Sequence, residues 1–191
     1  VLSSDNGPVL DDGYVDCAVE KLGNHKPWGP LRGGKYSFLE AGTRVPFITY
    51  WKGEIKPSVS DALVSQVDLL ASLASLVDAN VPETDSQNLM DTFLGKTKEG
   101  RDNLIIEATT RTAFRQGDWM MIPPYKGPLV NSVKNIETGN SKVYQLYNLK
   151  DDIGQKNNVA ESKPEKLQDM IKNFEDIRGA SYSEIEQPNF N

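Results

Sequence analysis

Two adjacent oxygen-bearing side chains stand near the start of the chain, directly after a short apolar run. Asp5 and Asn6 follow Val1–Ser4, which has the character of a strand end, and they precede the turn-forming pair Gly7-Pro8. A carboxylate and an amide carbonyl are hard oxygen ligands that suit Ca²⁺ or Mg²⁺. Because open α/β sheets bind ligands beyond the carboxyl ends of their strands, this position favours a metal site. The same dipeptide is also typical of a tight turn that binds nothing.

A basic segment with two glycines follows at Arg32–Lys35. The glycines allow the backbone to approach an anion closely, while Arg32 and Lys35 supply cationic donors for sulfate or phosphate oxygens. The segment is not a P-loop, since it lacks the pattern Gly-x-x-x-x-Gly-Lys-Ser/Thr. A solvated basic turn is the alternative interpretation.

His25 and Cys17 are the only histidine and the only cysteine of the chain. A lone histidine cannot form a zinc site or a serine triad without partners. His25 is therefore interpreted as a general acid, a substrate contact or an exposed surface residue. Cys17 has no neighbouring base, and we expect it to be a small buried side chain. A single cysteine excludes an intrachain disulfide and a cysteine-based zinc cluster.

The composition of the 191 residues describes an ordinary soluble protein, with 38% apolar and 25% charged residues. A net charge of -6 argues against nucleic acid as the main partner, because phosphate neutralisation requires a basic surface. The apolar stretch Val64–Val77 is interrupted by polar residues, so no transmembrane segment is predicted. Since a turn follows the first residues immediately, we expect the chain to be cut from a longer protein.

The first half of the chain is predicted to combine loops with a few short elements. The spacing predicts a long surface loop over Pro8–Gly34 and a buried strand over Thr43–Trp51. A capping box that begins at Ser65 predicts a helix whose apolar stripe, ending at Val77, packs in the core. A short second helix is predicted over Gln87–Leu94.

The second half has a different character beyond the polar segment Lys96–Asn103. Pro123–Lys142 is predicted to be an exposed loop, and a capping box at Ser162 predicts a final helix that ends before Gly179. Residues 180–191 are expected to form a tail. Four short β-type runs predict a small antiparallel sheet, namely Leu104–Ala108, Thr112–Arg115, Trp119–Ile122 and Val143–Leu149.

Several segments, taken together, resemble the sulfatase family in their order and spacing. The resemblance covers nearly the whole chain, to about Arg178. The segments that carry it are Ser4–Pro8, Leu31–Lys35, Glu40–Pro46, Trp51–Gly53, Val67–Leu69, Gly117–Trp119, Leu146–Leu149 and the pair Asp151-Asp152.

The resemblance implies an α/β fold of the alkaline-phosphatase-like type. Residues 1–98 would form the C-terminal part of the catalytic domain. Residues 99–191 would form a small α+β domain, with a four-stranded antiparallel sheet, a C-terminal helix and a tail.

The resemblance also implies roles for individual residues. Asp5 and Asn6 would be ligands of a Ca²⁺ ion, with Mg²⁺ as a possible substitute, and Lys35 would contact the sulfate. Arg32 would be a substrate-binding residue. His25 lies where such enzymes have a substrate-facing loop, and it would contact the substrate.

The chain departs from the family in the segment that performs the chemistry. The family's nucleophile is a formylglycine made from Cys or Ser in the motif Cys/Ser-x-Pro-x-Arg, and no segment here fits it, Cys17 included. We therefore expect the formylglycine and the remaining metal ligands in an N-terminal part that this chain lacks. The chain alone is expected to be inactive. Glu40 and Arg44 are expected to brace the loop that carries Lys35.

The leading hypothesis is the C-terminal portion of a sulfatase that acts on sulfated carbohydrates or aryl sulfates. Its partners would be a sulfated small molecule or glycan and the N-terminal part of the same protein, with periplasmic or secreted localisation expected from the family. One alternative is a phosphodiesterase or phosphonate hydrolase of the same superfamily. Another is a non-catalytic module that binds sulfated glycans.

Overall fold

The computed structural model describes residues 1–109 and 111–182. Contacts divide the chain into two compact units: Val1–Ser3 with Pro46–Leu104, and Ser4–Val45 with the chain from Ile105 onward. These units are defined by contacts alone, and the domain boundary between residues 98 and 99 stays a prediction. Within the described residues, no helix has the length and apolar character needed to cross a membrane.

A two-stranded antiparallel sheet begins the first unit. Strand β1, Leu2–Ser3, pairs with β2, Phe47–Ile48, in the register Leu2↔Ile48. The predicted strand end at Val1–Ser4 is thereby confirmed. The prediction of a buried strand over Thr43–Trp51 is wrong, because only two of these residues pair and Trp51 is exposed. A sheet of two strands has one ladder and leaves its outer side chains uncovered.

A capped helix follows in the same unit, as predicted. The Ser65 amide donates to Asp68 Oδ2 at 2.9 Å, and the Ser65 hydroxyl accepts from the Val67 amide, which completes a capping box. A 3-10 turn over Gln66–Asp68 continues into helix α2, Leu69–Leu76. The predicted second helix is confirmed as the shorter α3, Met90–Phe93.

Helix α2 buries its polar face, which is the reverse of the prediction. Asp68 and Ser72 are fully buried, and they accept hydrogen bonds from the backbone amides of Gln87 (3.0 Å) and Leu89 (2.8 Å) respectively. The apolar stripe is instead exposed, with Leu70, Leu73 and Leu76 at 53%, 48% and 44%. Hydrogen bonds to the 87–89 backbone therefore decide the orientation of α2, because buried amides require partners.

A four-stranded antiparallel sheet forms the centre of the second unit, and it confirms the predicted sheet. The strands are β3, Asn103–Ala108; β4, Arg111–Gln116; β5, Trp119–Ile122; and β8, Gln145–Asn148. Their order in the sheet is β3-β4-β5-β8. Phe114 of β4 pairs with Met121 of β5, and Met121 pairs in turn with Leu146 of β8.

Both faces of this sheet are covered, since side chains alternate along each strand. One face packs Phe114, Met121 and Leu146 against Met170 and Phe174 of helix α4, Pro164–Arg178. The opposite face carries a second buried cluster. Its members are Phe38, Leu39, Ala113, Met120, Ile122, Tyr125, Tyr147 and Leu149. The segment around Phe38 is thus fixed against the sheet, and this segment continues directly from Lys35.

The observed ends of α4 match the predicted helix ends at two points and differ at one. Pro164 occupies the first turn, and Gly179 caps the C-terminus with a φ of 70°, as predicted. The predicted capping box at Ser162 is wrong, because the Ser162 hydroxyl donates to the Val159 carbonyl and Lys163 is the N-cap. In the predicted tail, residues 183–191 lie outside the described residues.

The segment Pro123–Lys142 contains a hairpin, which corrects the predicted exposed loop. Strand β6, Val130–Asn131, pairs with β7, Ile136–Glu137. Ile136 and Tyr125 are buried, and the Tyr125 hydroxyl donates to the carbonyl of Thr112 at 2.6 Å. These anchors hold the hairpin against the rest of the second unit.

Candidate functional site

The turn that carries Asp5 and Asn6 is docked on a short helix, α1, Glu40–Thr43. The Gly7 amide donates to the Gly42 carbonyl at 2.8 Å. A β-carbon at Gly7 would lie 1.6 Å from the Ala41 carbonyl oxygen, and a β-carbon at Gly42 would lie 2.0 Å from the Ser37 carbonyl oxygen. Backbone touches backbone here, and only glycine permits that approach.

The segment that carries Lys35 joins the same cluster of loops. The Lys35 amide donates to the Pro8 carbonyl at 3.0 Å, and the Ala41 amide donates to the Arg32 carbonyl at 2.9 Å. Residues 4–8, 32–37 and 39–44 are therefore cross-linked by backbone hydrogen bonds. The structure thus brings the Asp5-Asn6 turn and Lys35 into one loop cluster, although they are distant in sequence.

The side chains of Asp5 and Asn6 suit part of a cation site. Asp5 is exposed and Asn6 is half-buried, with its amide nitrogen donating to the Gly7 carbonyl at 3.0 Å. Among the described residues no group donates a hydrogen bond to the Asn6 side-chain oxygen, so this oxygen can coordinate another group. Ca²⁺ takes six to eight oxygen ligands, and the described residues contain no group of three or more Asp, Glu, His or Cys side chains placed to hold a metal. The donor chemistry of the pair fits a hard cation, although the two side chains alone would not complete its coordination.

Lys35 is held by a carboxylate that the sequence analysis did not single out. Its ammonium donates to Asp12 Oδ2 at 2.8 Å, and Asp12 Oδ1 also accepts from the Tyr36 hydroxyl at 3.2 Å. Lys134 places a second ammonium 3.5 Å from Asp12 Oδ1. The hydrogen bond from Lys35 lowers the pKa of Asp12, and the same bond raises the pKa of Lys35.

Arg32 lies against the hairpin and the loop after β8. Its Nε pairs with Glu137, and its Nη1 donates to the Gln155 carbonyl at 2.5 Å. The Gln155 side-chain oxygen in turn accepts from the Glu40 amide at 2.7 Å. These contacts give Arg32 a clear positioning role within the loop cluster. Its role in substrate binding stays a prediction.

Glu40 is a buried carboxylate that braces the segment following Lys35. It pairs with Arg44 at 2.5 Å and with Arg115 of β4 at 3.5 Å. Burial lowers the pKa of Arg115, and the nearby Glu40 charge opposes that effect. The geometry agrees with the bracing role expected for Glu40 and Arg44, and it ties α1 to the central sheet.

His25 and Cys17 lie in the long loop of the second unit, and both are exposed. The predicted burial of Cys17 is wrong, because its φ of 58° places it in a turn that closes with a bond from the Lys21 amide to the Cys17 carbonyl. The described residues provide no ion pair or side-chain hydrogen bond for His25. Its role as a substrate contact stays a prediction.

Three residues of the site were missed by sequence reasoning: Asp12, Tyr36 and Lys134. Tyr36 directly follows Lys35, and its φ of 74° reflects a turn that the glycines before it begin. Asp12 and Lys134 lie in segments that were predicted to be surface loops, and neither residue was singled out. No local signal connects them, because their contact depends on the hairpin folding over the Arg32–Lys35 segment.

Comparisons with known proteins agree with this description. Residues 1–79 match the family model described as Sulfatase. The chain is 42% identical over 182 residues to the N-acetylgalactosamine-6-O-sulfatase of Bacteroides thetaiotaomicron, a match that covers 93% of this chain and 36% of that protein. It is 34% identical over 105 residues to arylsulfatase A of Bos taurus, covering 53% of this chain and 19% of that protein.

A solved structure from work on glycosaminoglycan metabolism by Bacteroides thetaiotaomicron superposes with a TM-score of 0.88 at 42% identity. The superposition covers 93% of this chain and 38% of that one, so this chain spans just over a third of the length of these relatives. The agreement confirms the predicted fold class, a C-terminal part of an alkaline-phosphatase-like sulfatase with its antiparallel sheet and C-terminal helix. The chain therefore belongs to the sulfatase family and corresponds to a C-terminal portion of its longer members.

Proposed function

We propose that this chain supplies cation and sulfate contacts to a sulfatase that hydrolyses sulfate esters of carbohydrates. The nucleophile would be a formylglycine contributed by a preceding segment, and the chain by itself would be inactive. Asp5 and Asn6 would hold a Ca²⁺ ion, which Mg²⁺ could replace. Lys35 would contact the sulfate group.

One observation supports this proposal above the others. Backbone hydrogen bonds join the Asp5-Asn6 turn to the segment that carries Lys35, through the Lys35 amide and the Pro8 carbonyl at 3.0 Å. A cation-binding pair and an anion-binding lysine on cross-linked backbones form a polar site with both signs of charge. Such an arrangement suits an ester whose cleavage builds negative charge on oxygen.

The roles of the individual groups follow from their chemistry. Lys35 offers a compact ammonium with three donors, one of which is used by Asp12 in this structure. Its remaining donors can bind sulfate oxygens. The bound cation would act as a Lewis acid toward the sulfate oxygens. The exposed Asp5 carboxylate and the half-buried Asn6 amide oxygen would orient that cation.

A 6-sulfated amino sugar is the first substrate to test. The relative with 42% identity is named as an N-acetylgalactosamine-6-O-sulfatase, and its similarity extends over 93% of this chain. The second enzyme class, phosphodiesterases and phosphonate hydrolases, is not favoured by any observation here. A non-catalytic module that binds sulfated glycans would make the same contacts. Only a turnover assay distinguishes such a module from a sulfatase.

The test is a hydrolysis assay of the 191-residue chain beside a longer protein that contains it together with a Cys/Ser-x-Pro-x-Arg segment. The substrates are an aryl sulfate, N-acetylgalactosamine 6-sulfate and an aryl phosphodiester, each with added Ca²⁺. We expect turnover of sulfate esters by the longer protein alone. Lys35→Ala should lower its kcat/KM by roughly a hundredfold, because a charge contact to the reacting group is lost.

A matched control is Lys166→Ala, which removes a partly exposed lysine of α4 that pairs with Asp169 at 3.0 Å. Its activity should stay at the wild-type level. Chelation of divalent cations should abolish turnover, and Asp5→Ala should raise the Ca²⁺ concentration needed to restore it. Hydrolysis by the 191 residues alone, or faster cleavage of the phosphodiester, would contradict the proposal.

A further inference from the structure

The carboxylate of Asp12 is surrounded by more positive charge than it can neutralise. Lys35 and Lys134 place their ammonium groups 2.8 Å and 3.5 Å from its two oxygens, and the Tyr36 hydroxyl adds a donor at 3.2 Å. Two cations and one anion leave a net charge of +1. A convergent set of ammonium and hydroxyl donors is the arrangement that binds oxyanions.

Folding of the hairpin fixes Lys134 in this position. The Asn131 side chain accepts a hydrogen bond from the Lys134 amide at 3.2 Å, which shapes the turn between β6 and β7. After the turn, Ile136 packs on Gly34, where a β-carbon would lie 3.3 Å from its terminal methyl group. Glu137 pairs with Arg32. The hairpin thus lies along the Arg32–Lys35 segment and presents Lys134 beside Lys35.

The cluster is partly shielded yet open to a ligand. The side chains of Lys35, Asp12 and Lys134 are 25%, 27% and 16% exposed. Charge interactions at this depth are screened less than at a fully exposed surface. Asp12 itself comes from the loop after the Asp5-Asn6 turn, and no helix or strand holds its backbone. An incoming anion can therefore replace its carboxylate without disrupting a regular element.

We propose that Lys134 and Tyr36 form, together with Lys35, an anion-binding cluster for a sulfate group, and that Asp12 occupies this cluster in the free chain as a built-in competitor. The inference rests on the proposed function, since it takes Lys35 as the sulfate contact. It adds Lys134 and Tyr36 as residues that favour substrate binding, whereas Asp12 opposes it. When the substrate binds, its sulfate group takes over the hydrogen-bond donors that the Asp12 carboxylate releases.

The experiment measures binding of inorganic sulfate by the 191-residue chain, without any turnover. Sodium sulfate is titrated into ¹⁵N-lysine-labelled protein at constant ionic strength, with sodium chloride as the balancing salt. The Kd is read from the shifts of the Lys35 and Lys134 signals. Lys134→Gln should weaken binding roughly fivefold, and Asp12→Asn should tighten it roughly fivefold, as expected for one partly exposed charge contact. Lys134→Arg, which keeps the charge, should restore binding.

Asp169→Asn is the matched control, because it removes the acidic partner of Lys166 on α4 and should leave the Kd unchanged. Weaker binding in Asp12→Asn would overturn the inference, since Asp12 would then be positioning Lys35 for the ligand. An unchanged Kd in Lys134→Gln, with binding still lost in Lys35→Gln, would also overturn it and leave the proposed function intact. Absence of any sulfate-dependent shift would overturn the inference that this cluster binds sulfate. The hydrolysis assay tests the proposed function separately.

Discussion

The backbone amide of Gly7 donates a 2.8 Å hydrogen bond to the carbonyl oxygen of Gly42. This bond joins the turn that carries Asp5 and Asn6 to helix α1, which leads from the Lys35 segment. A β-carbon at either glycine would overlap backbone atoms, so neither glycine can be replaced without a backbone shift. Close backbone packing therefore positions the loops that carry the charged side chains of the candidate site.

Gly42→Ala should destabilise the second unit strongly. A β-carbon there would lie 2.0 Å from the Ser37 carbonyl and 2.6 Å from the Gly34 carbonyl, so the backbone must move. We expect a loss of about 3 kcal/mol in the free energy of unfolding, at the upper end for overpacked sites. Urea denaturation followed by circular dichroism measures this value.

Gly23→Ala is the control for that substitution. Gly23 has a φ of 60° and no atom within 4 Å of its β-carbon position, so alanine adds conformational strain without a clash. Its expected cost is about 1 kcal/mol. If Gly42→Ala cost no more than Gly23→Ala, the close packing of the two segments would not be essential.

Arg101→Met should destabilise the first unit. Asp68 is fully buried, and its carboxylate accepts from the Arg101 guanidinium at 2.8 Å and 2.9 Å. Removal of Arg101 leaves a buried charge without its cation, which typically costs about 3–5 kcal/mol. Chemical denaturation of the variant measures the loss. The exposed pair Lys96–Asp91 is the comparison, and Lys96→Met should change stability by less than about 1 kcal/mol.

Elements with a strong local signal could be predicted from the sequence. The capping box at Ser65, the short apolar strand Trp119–Ile122 and the helix end at Gly179 all depend on neighbouring residues, and the structure has them as expected. The orientation of α2 could not be predicted in this way. Its apolar stripe suggested a buried face, whereas the backbone amides of 87–89 turn Ser72 inward.

The candidate site was predictable only where the family motifs lie. Asp5, Asn6 and Lys35 are recognisable from their segments. The partner of Lys35 is not, because Asp12 lies in a loop without periodicity and Lys134 reaches it only through the hairpin. Long-range contacts between irregular segments carry no periodic signal, so a single sequence does not reveal them.

The exposed stripe of α2 should cause self-association of the 191-residue chain. Leu70, Leu73 and Leu76 are each close to half exposed on one face of the helix. Leu70→Glu with Leu73→Glu should therefore lower the mean mass seen by sedimentation at high protein concentration. Val143→Glu, which replaces an exposed valine outside α2, should have little effect. A wild-type chain that stays monomeric throughout would contradict this expectation.

The ion pair between Asp12 and Lys35 should make stability depend on pH in a defined window. The pKa of Asp12 is lowered from 3.8 by the hydrogen bond from Lys35, so its contribution is fully present above pH 3.8 and is lost as the pH falls through the lowered value. The pKa of Lys35 is raised from 10.5 by the same bond, so its contribution is lost only as the pH rises through that raised value.

Asp12→Asn tests this window directly. The difference in urea midpoint between wild type and variant should be constant from pH 5 to pH 9, and it should shrink as the pH falls below 3.8 and through the lowered pKa of the wild-type carboxylate. In a Lys35→Met background, Asp12→Asn should have a much smaller effect at every pH, since the main partner is already absent. A midpoint difference that grows on acidification would show that Asp12 is not stabilised as the anion.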